Sequence, residues 1–412
     1  MSMFTQVFIA IVIAVSVFKF YLNRRQANSI KSHFNQVPQK FASHISLDEH
    51  HKAGNYNLAK LKLDIFENIF STIVLLIFTI GGGIQFINDQ YVSLASYPLT
   101  YGVVVIGVFS LINAIISLPF GIYATFSIEQ RFGFNKTTVK LFIVDLVKNL
   151  VLSLIIGIPF LYLVLWLMDA MGEYWWLWVW GVFVAFNLLM LIIYPTFIAP
   201  LFNKFLPLSD EELKTKINNL LIKCGFKSSG VFVMDGSKRS SHGNAYFTGF
   251  GKTKRIVFFD TLIKQLNHNE IEAVLAHELG HFKLKHIVKQ IILSFAIAGA
   301  TLYILSLLIN AVPFYNALGV ISVTNYNGLL LFMLVIGVVS FPLAPIMSYF
   351  SRKNEFEADD FAKRYTDKND LINGLVKMYR DNASTLTPDE LYVKFYYSHP
   401  PASVRIAALE KD

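Results

Sequence analysis

The sequence predicts a mainly α, polytopic membrane protein with a small α+β unit inserted on one side of the bilayer. Of its 412 residues, 54% are hydrophobic and only 16% charged, with a mean hydropathy of +0.49; a water-soluble globule of this size would not need so much apolar matter to fill its core. Seven apolar runs approach or exceed the roughly 20 residues that cross a bilayer as helix, at about 3–22, 65–87, 98–126, 141–168, 174–198, 287–312 and 327–350. Lys and Arg are absent from 63–130, 149–203 and 290–351. The formal net charge of +8 therefore follows membrane topology and forms no basic stripe interleaved with aromatics, which excludes nucleic acid as the partner.

The first run has no basic segment ahead of it and no small-residue cleavage pattern, and "KFYLNRRQ" follows it, so it reads as an uncleaved anchor. Threading seven crossings puts all 36 Lys and Arg residues on, or within snorkelling reach of, one side, which the positive-inside rule makes cytoplasmic. The other side receives Met1 and only short connections, "NDQYVSLASYP", "DAMGEYW" and "VPFYNALGVISVTNYN". Residues 1–198 are thus expected to form an N-terminal region of five membrane helices, with the N-terminus outside, and 287–350 to carry helices six and seven. All five Trp residues fall between Trp166 and Trp180, where two runs meet the outer headgroups as an aromatic belt. "GGGIQ" at 81–85 reads as a kink or a close helix contact, since no strand precedes it and no lysine follows. Polar residues in or near the runs, Asp64, Glu67, Asn68, Asn113, Asp145, Lys148 and Asn187, either line water or pair helices.

Two stretches are soluble-like, 199–286 and 351–412. In the first, "DEELKTKINNLLIKCGF" has helical periodicity, and "GVFVMD", "HGNAYFTGFG" and "KRIVFFDTLI" read as short strands with a turn at "GKTK". A single cysteine, Cys224, excludes an internal disulfide and any multi-cysteine metal site, so a metal must be held by nitrogen and oxygen.

His277, Glu278 and His281 form H-E-x-x-H within a segment of helical periodicity. Four residues rotate a helix by about 400°, which sets both imidazoles on one face, one turn apart, where they can share a single zinc while Glu278 deprotonates the activated water. A zinc hydrolase needs a third protein ligand and an open position. "SRKNEFEADDFAKRY" supplies it: Glu355 or Glu357 satisfies the spacing, and Asp359 can fix an imidazole tautomer. Two crossings separate His281 from this segment, so the chain returns to the same side. In "YYSHPPASVRIAAL", His399 and Arg405 are donors that could stabilise an oxyanion. His286, five residues past His281, stands about 140° off the ligand face of a straight helix and reads as structural or substrate-proximal; the histidines at 33, 44, 50, 51, 242 and 268 lie in polar segments and read as solvated.

"HELGHFKLKH", "SRKNEFEADDFA" and "SHPPASVRI" together resemble the integral-membrane CaaX prenyl protease family, zinc metalloendopeptidases of the a-factor-converting type. "FSIEQRFGFNKTT", "YPTFIAPLFNKFLPL" and "GNAYFTGFGKTKRIVFFDTLI" are similar to stretches of that family in the same order. The resemblance implies one Zn2+ per chain on His277, His281 and Glu355, with Glu278 as general base and acid and Asp359 behind a ligand. It implies that His399 and Arg405 stabilise the intermediate, and that Asn244, Ala245 and Tyr246 form an edge strand that pairs with extended substrate. It further implies seven tilted helices enclosing a chamber, with 199–286 as a small α+β metalloprotease domain completed by 351–412. The substrate would be a peptide or protein, including proteins prenylated at the C-terminus that lose their aaX tripeptide, with no obligate protein partner.

The C-terminal "LEKD" lacks the dibasic retrieval signal of some eukaryotic members, which leaves both a bacterial cytoplasmic membrane and the endoplasmic reticulum as the site. In the former, membrane-protein quality control replaces prenyl substrates. A polytopic transporter carrying a non-catalytic motif is the reading from another class; the long H-E-x-x-H helix and the matched acidic motif stand against it.

Overall fold

The computed structural model describes residues 2–248 and 255–411; Met1, and the turn expected at "GKTK" (251–254), lie outside the described residues. Five helices are each long and apolar enough to cross a membrane: α1 (Met3–Ser32), α4 (Pro98–Glu129), α5 (Val139–Ala170), α6 (Gly172–Phe202) and α10 (His286–Leu308). Two more spans are bent pairs. Helices α2 (Leu47–Phe78) and α3 (Gly83–Gln90) meet at 51°, and α12 (Asn325–Val339) is followed after a 43° bend by Phe341–Tyr365, whose α-helical part is α13 (Ala344–Tyr365).

The bends have local causes. At the first, Thr79 leaves helical geometry with ψ −99° and Gly82 takes φ +78°, a conformation that costs a side-chain-bearing residue about 1 kcal/mol or more; "GGGIQ" is a kink. At the second, Pro342 follows Ser340 and Phe341 in a 3-10 turn, where its missing N–H and fixed ring interrupt the α-helical ladder.

Three of the single-helix spans are packed most densely at one end. In α4 the buried positions up to the middle are Gly102, Val103 and Val105; in α5 they are Val164, Leu165, Leu167 and Met168; in α6 Trp175 and Val179. All lie near the connections opposite the soluble-like segments, and all but Gly102 belong to one apolar core with Ile84, Tyr315 and Leu331. A reciprocal pair of buried amides closes that end, Asn88 Nδ2 donating to Asn327 Oδ1 at 3.0 Å. Only 6–17% of each single-helix apolar window is buried, less than the stripe of about 100° that a helix in a solid bundle covers. The spans are staves, packed most densely at one end, with one face for lipid and one for the chamber they enclose.

Polar residues of the spans divide between the two expected uses. Glu67, Ser71, Asn113 and Ser117 line a cavity of about 400 Å³ between α2 and α4. Asn68 instead donates to the Ser16 carbonyl at 2.9 Å and ties α2 to α1, Lys148 donates to the Leu201 carbonyl at 2.7 Å, and Asn187 turns back on its own helix at Phe183. The tryptophans divide as well. Trp166 and Trp178 are exposed, as a belt requires, but Trp175 is buried and Trp180 Nε1 donates to the Phe295 carbonyl of α10 at 2.8 Å.

Past α6 the chain forms β1 (Phe205–Pro207), α7 (Glu211–Lys223), β2 (Val231–Met234), β3 (Ala245–Thr248), β4 (Arg255–Phe259), α8 (Asp260–Gln265) and α9 (His268–Lys283). The sheet order is β1-β2-β4-β3, with β2 and β4 parallel and both edges antiparallel. Alternation turns Ile256 and Phe258 of β4 into a core with Leu213, Ile217 and Leu220 of α7 and Ile271, Leu275 and Leu279 of α9. Each such side chain, fully buried, contributes about 1.5–3 kcal/mol. Leu371 and Leu375 of α14 (Lys368–Asp381) enter the same core, so the segment after the seventh span and the one before the sixth fold as one body. A clamp docks this body on the spans: Arg239 reaches Asp145 of α5 through two hydrogen bonds of 2.8 and 2.9 Å and Asn203 at 2.7 Å.

Candidate active site

Helix α9 starts in a capping box, Asn267 accepting from the Glu270 N–H while Glu270 accepts from the Asn267 N–H. Lys377 neutralises the buried Glu270 carboxylate at 2.7 Å. This fixes the phase of the helix, and His277 and His281 emerge from one face, their Nε2 atoms 3.2 Å apart. Helix α13 crosses directly over them, and Gly280 makes the approach possible: a Cβ there would lie 3.0 Å from the Ala358 Cα, backbone that cannot move aside.

That crossing delivers Glu355. Its Oε1 lies 3.1 Å from His281 Nε2 and its Oε2 3.5 Å from His277 Nε2, and its side chain is 3% exposed. The sequence left Glu355 and Glu357 open; helix phase sends Glu357 away from the His277–His281 pair, to His286 at 3.0 Å. The fit of these residues to a metal is close. Bonds of about 2.0–2.1 Å in tetrahedral array place donors about 3.3–3.4 Å apart; the imidazole pair at 3.2 Å, and the two carboxylate oxygens at 3.1 and 3.5 Å from one imidazole each, bracket that spacing. Glu355 Oε2 is also buried with no hydrogen bond of good geometry, although His399 Nδ1 stands 2.8 Å and Arg405 3.4 Å away. A buried carboxylate is costly unless cationic partners complete it, and the Arg405 guanidinium already stands on the side away from the two imidazole Nε2 atoms. Among the described residues this is the single group of three or more His, Cys, Asp or Glu able to hold a metal.

Asp359 sits one turn past Glu355 and meets His277 Nδ1 at 2.8 Å. An anionic acceptor there keeps the proton on Nδ1 and the lone pair on Nε2. Asp359 is held in turn by Arg405 of α16 (Ala402–Glu410), whose Nε and terminal nitrogen donate to its two oxygens at 2.8 and 2.6 Å. Burial, the largest influence on the His277 ring, and the charge of Arg405 both lower its pKa, but hydrogen bonds to Asp359 and Glu355 and the charge of Asp359 outweigh them and push it up to about 9. The pocket thus favours positive charge at this ring.

The structure brings His277, His281, Glu355, Asp359, His399 and Arg405 together, but gives the last two different settings. Arg405 is buried and has two of its nitrogens engaged with Asp359 and the third 3.4 Å from Glu355. His399 is 65% exposed at the side chain. Glu278, next to His277 and half-buried, has no hydrogen-bond or ion-pair partner among the described residues, which leaves its carboxylate free.

The free edge of the sheet is β3. The Phe259 N–H donates to the Asn244 carbonyl at 2.9 Å, so in the antiparallel alternation Asn244 and Tyr246 turn their backbone groups inward to β4 while Ala245 and Phe247 turn theirs to the open edge. Phe247 is an edge residue that the sequence reading missed, because strand phase cannot be read without the partner. The exposed Asn244 side chain accepts from the Ala245 N–H at 2.8 Å, and Tyr246 lines a cavity with Tyr194 and Phe232. The entry to β3 is fixed from two sides: Thr261 donates to the His242 carbonyl at 2.9 Å and the Asn382 carboxamide accepts from the Gly243 N–H at 3.2 Å.

Residues 26–204 match the family described as CAAX prenyl protease N-terminal, five membrane helices, and residues 207–412 match peptidase family M48. CAAX prenyl protease 1 of Saccharomyces cerevisiae is 36% identical, the alignment covering 97% of this chain and 93% of that protein. The human CAAX prenyl protease 1 homolog is 30% identical over 96% and 93% of the two chains. The crystal structure of S. mikatae Ste24p superposes with a TM-score of 0.93 at 34% identity over the full length of both chains. The chain belongs to the CAAX prenyl proteases of peptidase family M48 and is a multi-pass membrane metalloendopeptidase.

Proposed function

We propose that this M48 peptidase carries one zinc ion on His277, His281 and Glu355 and removes the C-terminal tripeptide from prenylated proteins on the cytoplasmic side of its membrane. The observation that carries the reading is the gathering of two imidazole nitrogens and both Glu355 oxygens at 3.1–3.5 Å beside an unpartnered Glu278. Zinc bound there supplies Lewis-acid chemistry, polarising a water and the scissile carbonyl. Glu278 takes the proton of the attacking water and returns it to the leaving amine. Asp359 keeps His277 in the tautomer that presents Nε2, and Arg405 keeps Asp359 in place. Ala245 and Phe247 pair with an extended substrate backbone, the Asn244 carboxamide giving up its hold on the Ala245 N–H or sharing it. His399, on the exposed side of the site, is the donor for the oxygen that gains charge as the carbonyl is attacked, and Arg405 stabilises that charge from behind through its remaining nitrogen.

Cleavage of a farnesylated CaaX peptide beside its non-prenylated counterpart, with and without chelator, tests this reading. Chelator-sensitive release of the tripeptide from the farnesylated peptide is expected. Equal cleavage of both peptides would instead support quality control of membrane proteins, and cleavage indifferent to chelator would refute the metal site. The chemistry fits an endoplasmic reticulum or a bacterial cytoplasmic membrane equally, and prenylated substrates favour the former.

The orientation rests on charge. In a Cys224→Ser background, cysteines placed at 88–97 or 313–325 are expected to react with an impermeant thiol reagent added to the outer side of intact membranes, and cysteines at 209–216 or 380–390 only after permeabilisation. Labelling of 209–216 from outside would put the site on the exterior face.

A further inference from the structure

His277 has a carboxylate directly behind it; His281 has a longer construction. Its Nδ1 lies 3.1 Å from His286 Nδ1, and His286 Nε2 lies 3.0 Å from Glu357 Oε2. On an uninterrupted helix His286 would stand about 140° away from His281. The chain breaks that phase at Lys285, which takes φ +59° and ψ +29°, one of only two positive-φ non-glycine residues among the described residues. A lysine in that region is strained, and the strain returns His286 to the site as the first residue of α10, buried to 3% exposure.

Only one assignment of protons satisfies both contacts and leaves His281 free to act. If His281 Nε2 is to offer its lone pair, the ring proton is on Nδ1 and must be donated. His286 Nδ1 is then the acceptor, which places the His286 proton on Nε2, where it is donated to Glu357. Lys353 Nζ lies 3.9 Å from the other Glu357 oxygen. We propose that His286 and Glu357 are positioning residues for His281: a relay that fixes its tautomer and ring orientation and slows loss of the metal. The proposal rests on the assignment of His281 as a ligand. Helix α13 then serves both histidines, through Asp359 for one and Glu357 for the other.

The test is the rate at which the purified full-length protein releases zinc into excess chelator, with the absorption of the cobalt-substituted protein as a second readout. His286→Leu and Glu357→Leu are expected to release zinc about 10–100-fold faster than the unaltered protein. His286→Gln is expected to stay within a few-fold of it, with an unshifted cobalt spectrum, because a carboxamide accepts and donates at once. A merely structural His286 would not be rescued in this way. Glu357, 39% exposed, keeps the test valid should His286→Leu not fold. Release at the unaltered rate in both Leu variants, or equal release from His286→Gln and His286→Leu, overturns the relay alone, provided His281→Ala holds no zinc. A His281→Ala protein that keeps its zinc overturns the ligand assignment, and the relay with it.

Discussion

Replacing Glu278 by Gln is expected to leave one zinc per chain in place and to lower peptide cleavage by about 10²–10⁴-fold, the range spanned by loss of a positioned general base. The two effects separate because Glu278 belongs to neither the donor set nor any hydrogen-bond network among the described residues. Its carboxamide replacement keeps size and position and loses only the capacity to take a proton. Metal content and turnover measured on one preparation decide the matter. Near-normal cleavage by the Gln variant would remove Glu278, and with it the proposed route of the proton, from the reaction.

Glu355→Ala is expected to abolish stoichiometric zinc and cleavage together, whereas Glu357→Ala, assayed without chelator, keeps its zinc. Glu355 sits between His277, His281, His399 and Arg405. Its loss leaves a buried guanidinium and up to three imidazoles with one carboxylate, Asp359, to balance them, a change that disfavours any further positive charge. Glu357 touches His286 and Lys353 and reaches the metal only through His281. The reverse pattern of metal contents would place the acidic ligand two residues further along the helix.

What the sequence reveals of this protein is what repeats at short range. H-E-x-x-H and the Glu355–Asp359 spacing are one helical turn each, so both pairs are legible before the fold is known, as are the apolar runs and the charge asymmetry. The choice between Glu355 and Glu357 is not, because two residues turn a helix by about 200° and only the position of α9 decides which side counts. The phase of His286 is not legible for a related reason: the 140° offset assumes a helix that continues through Lys285, where the helix stops and restarts. The strand β1 is three residues ending in Pro207 and carries no alternation to detect. Two spans that look continuous in hydropathy are bent, at Gly82 and at Pro342, the second just before the helix that carries Glu355. For Arg405 the sequence supplied a donor but not its neighbours, and the geometry gives it Asp359 as principal partner.

Zinc K-edge X-ray absorption of the purified protein tests the central claim most directly. The predicted first shell contains nitrogen and oxygen alone at about 2.0–2.1 Å, with multiple scattering from two imidazoles, falling to one or losing the metal outright in His281→Ala. A sulfur scatterer, or an unchanged two-imidazole spectrum in His281→Ala, would show that the metal is held somewhere other than between α9 and α13.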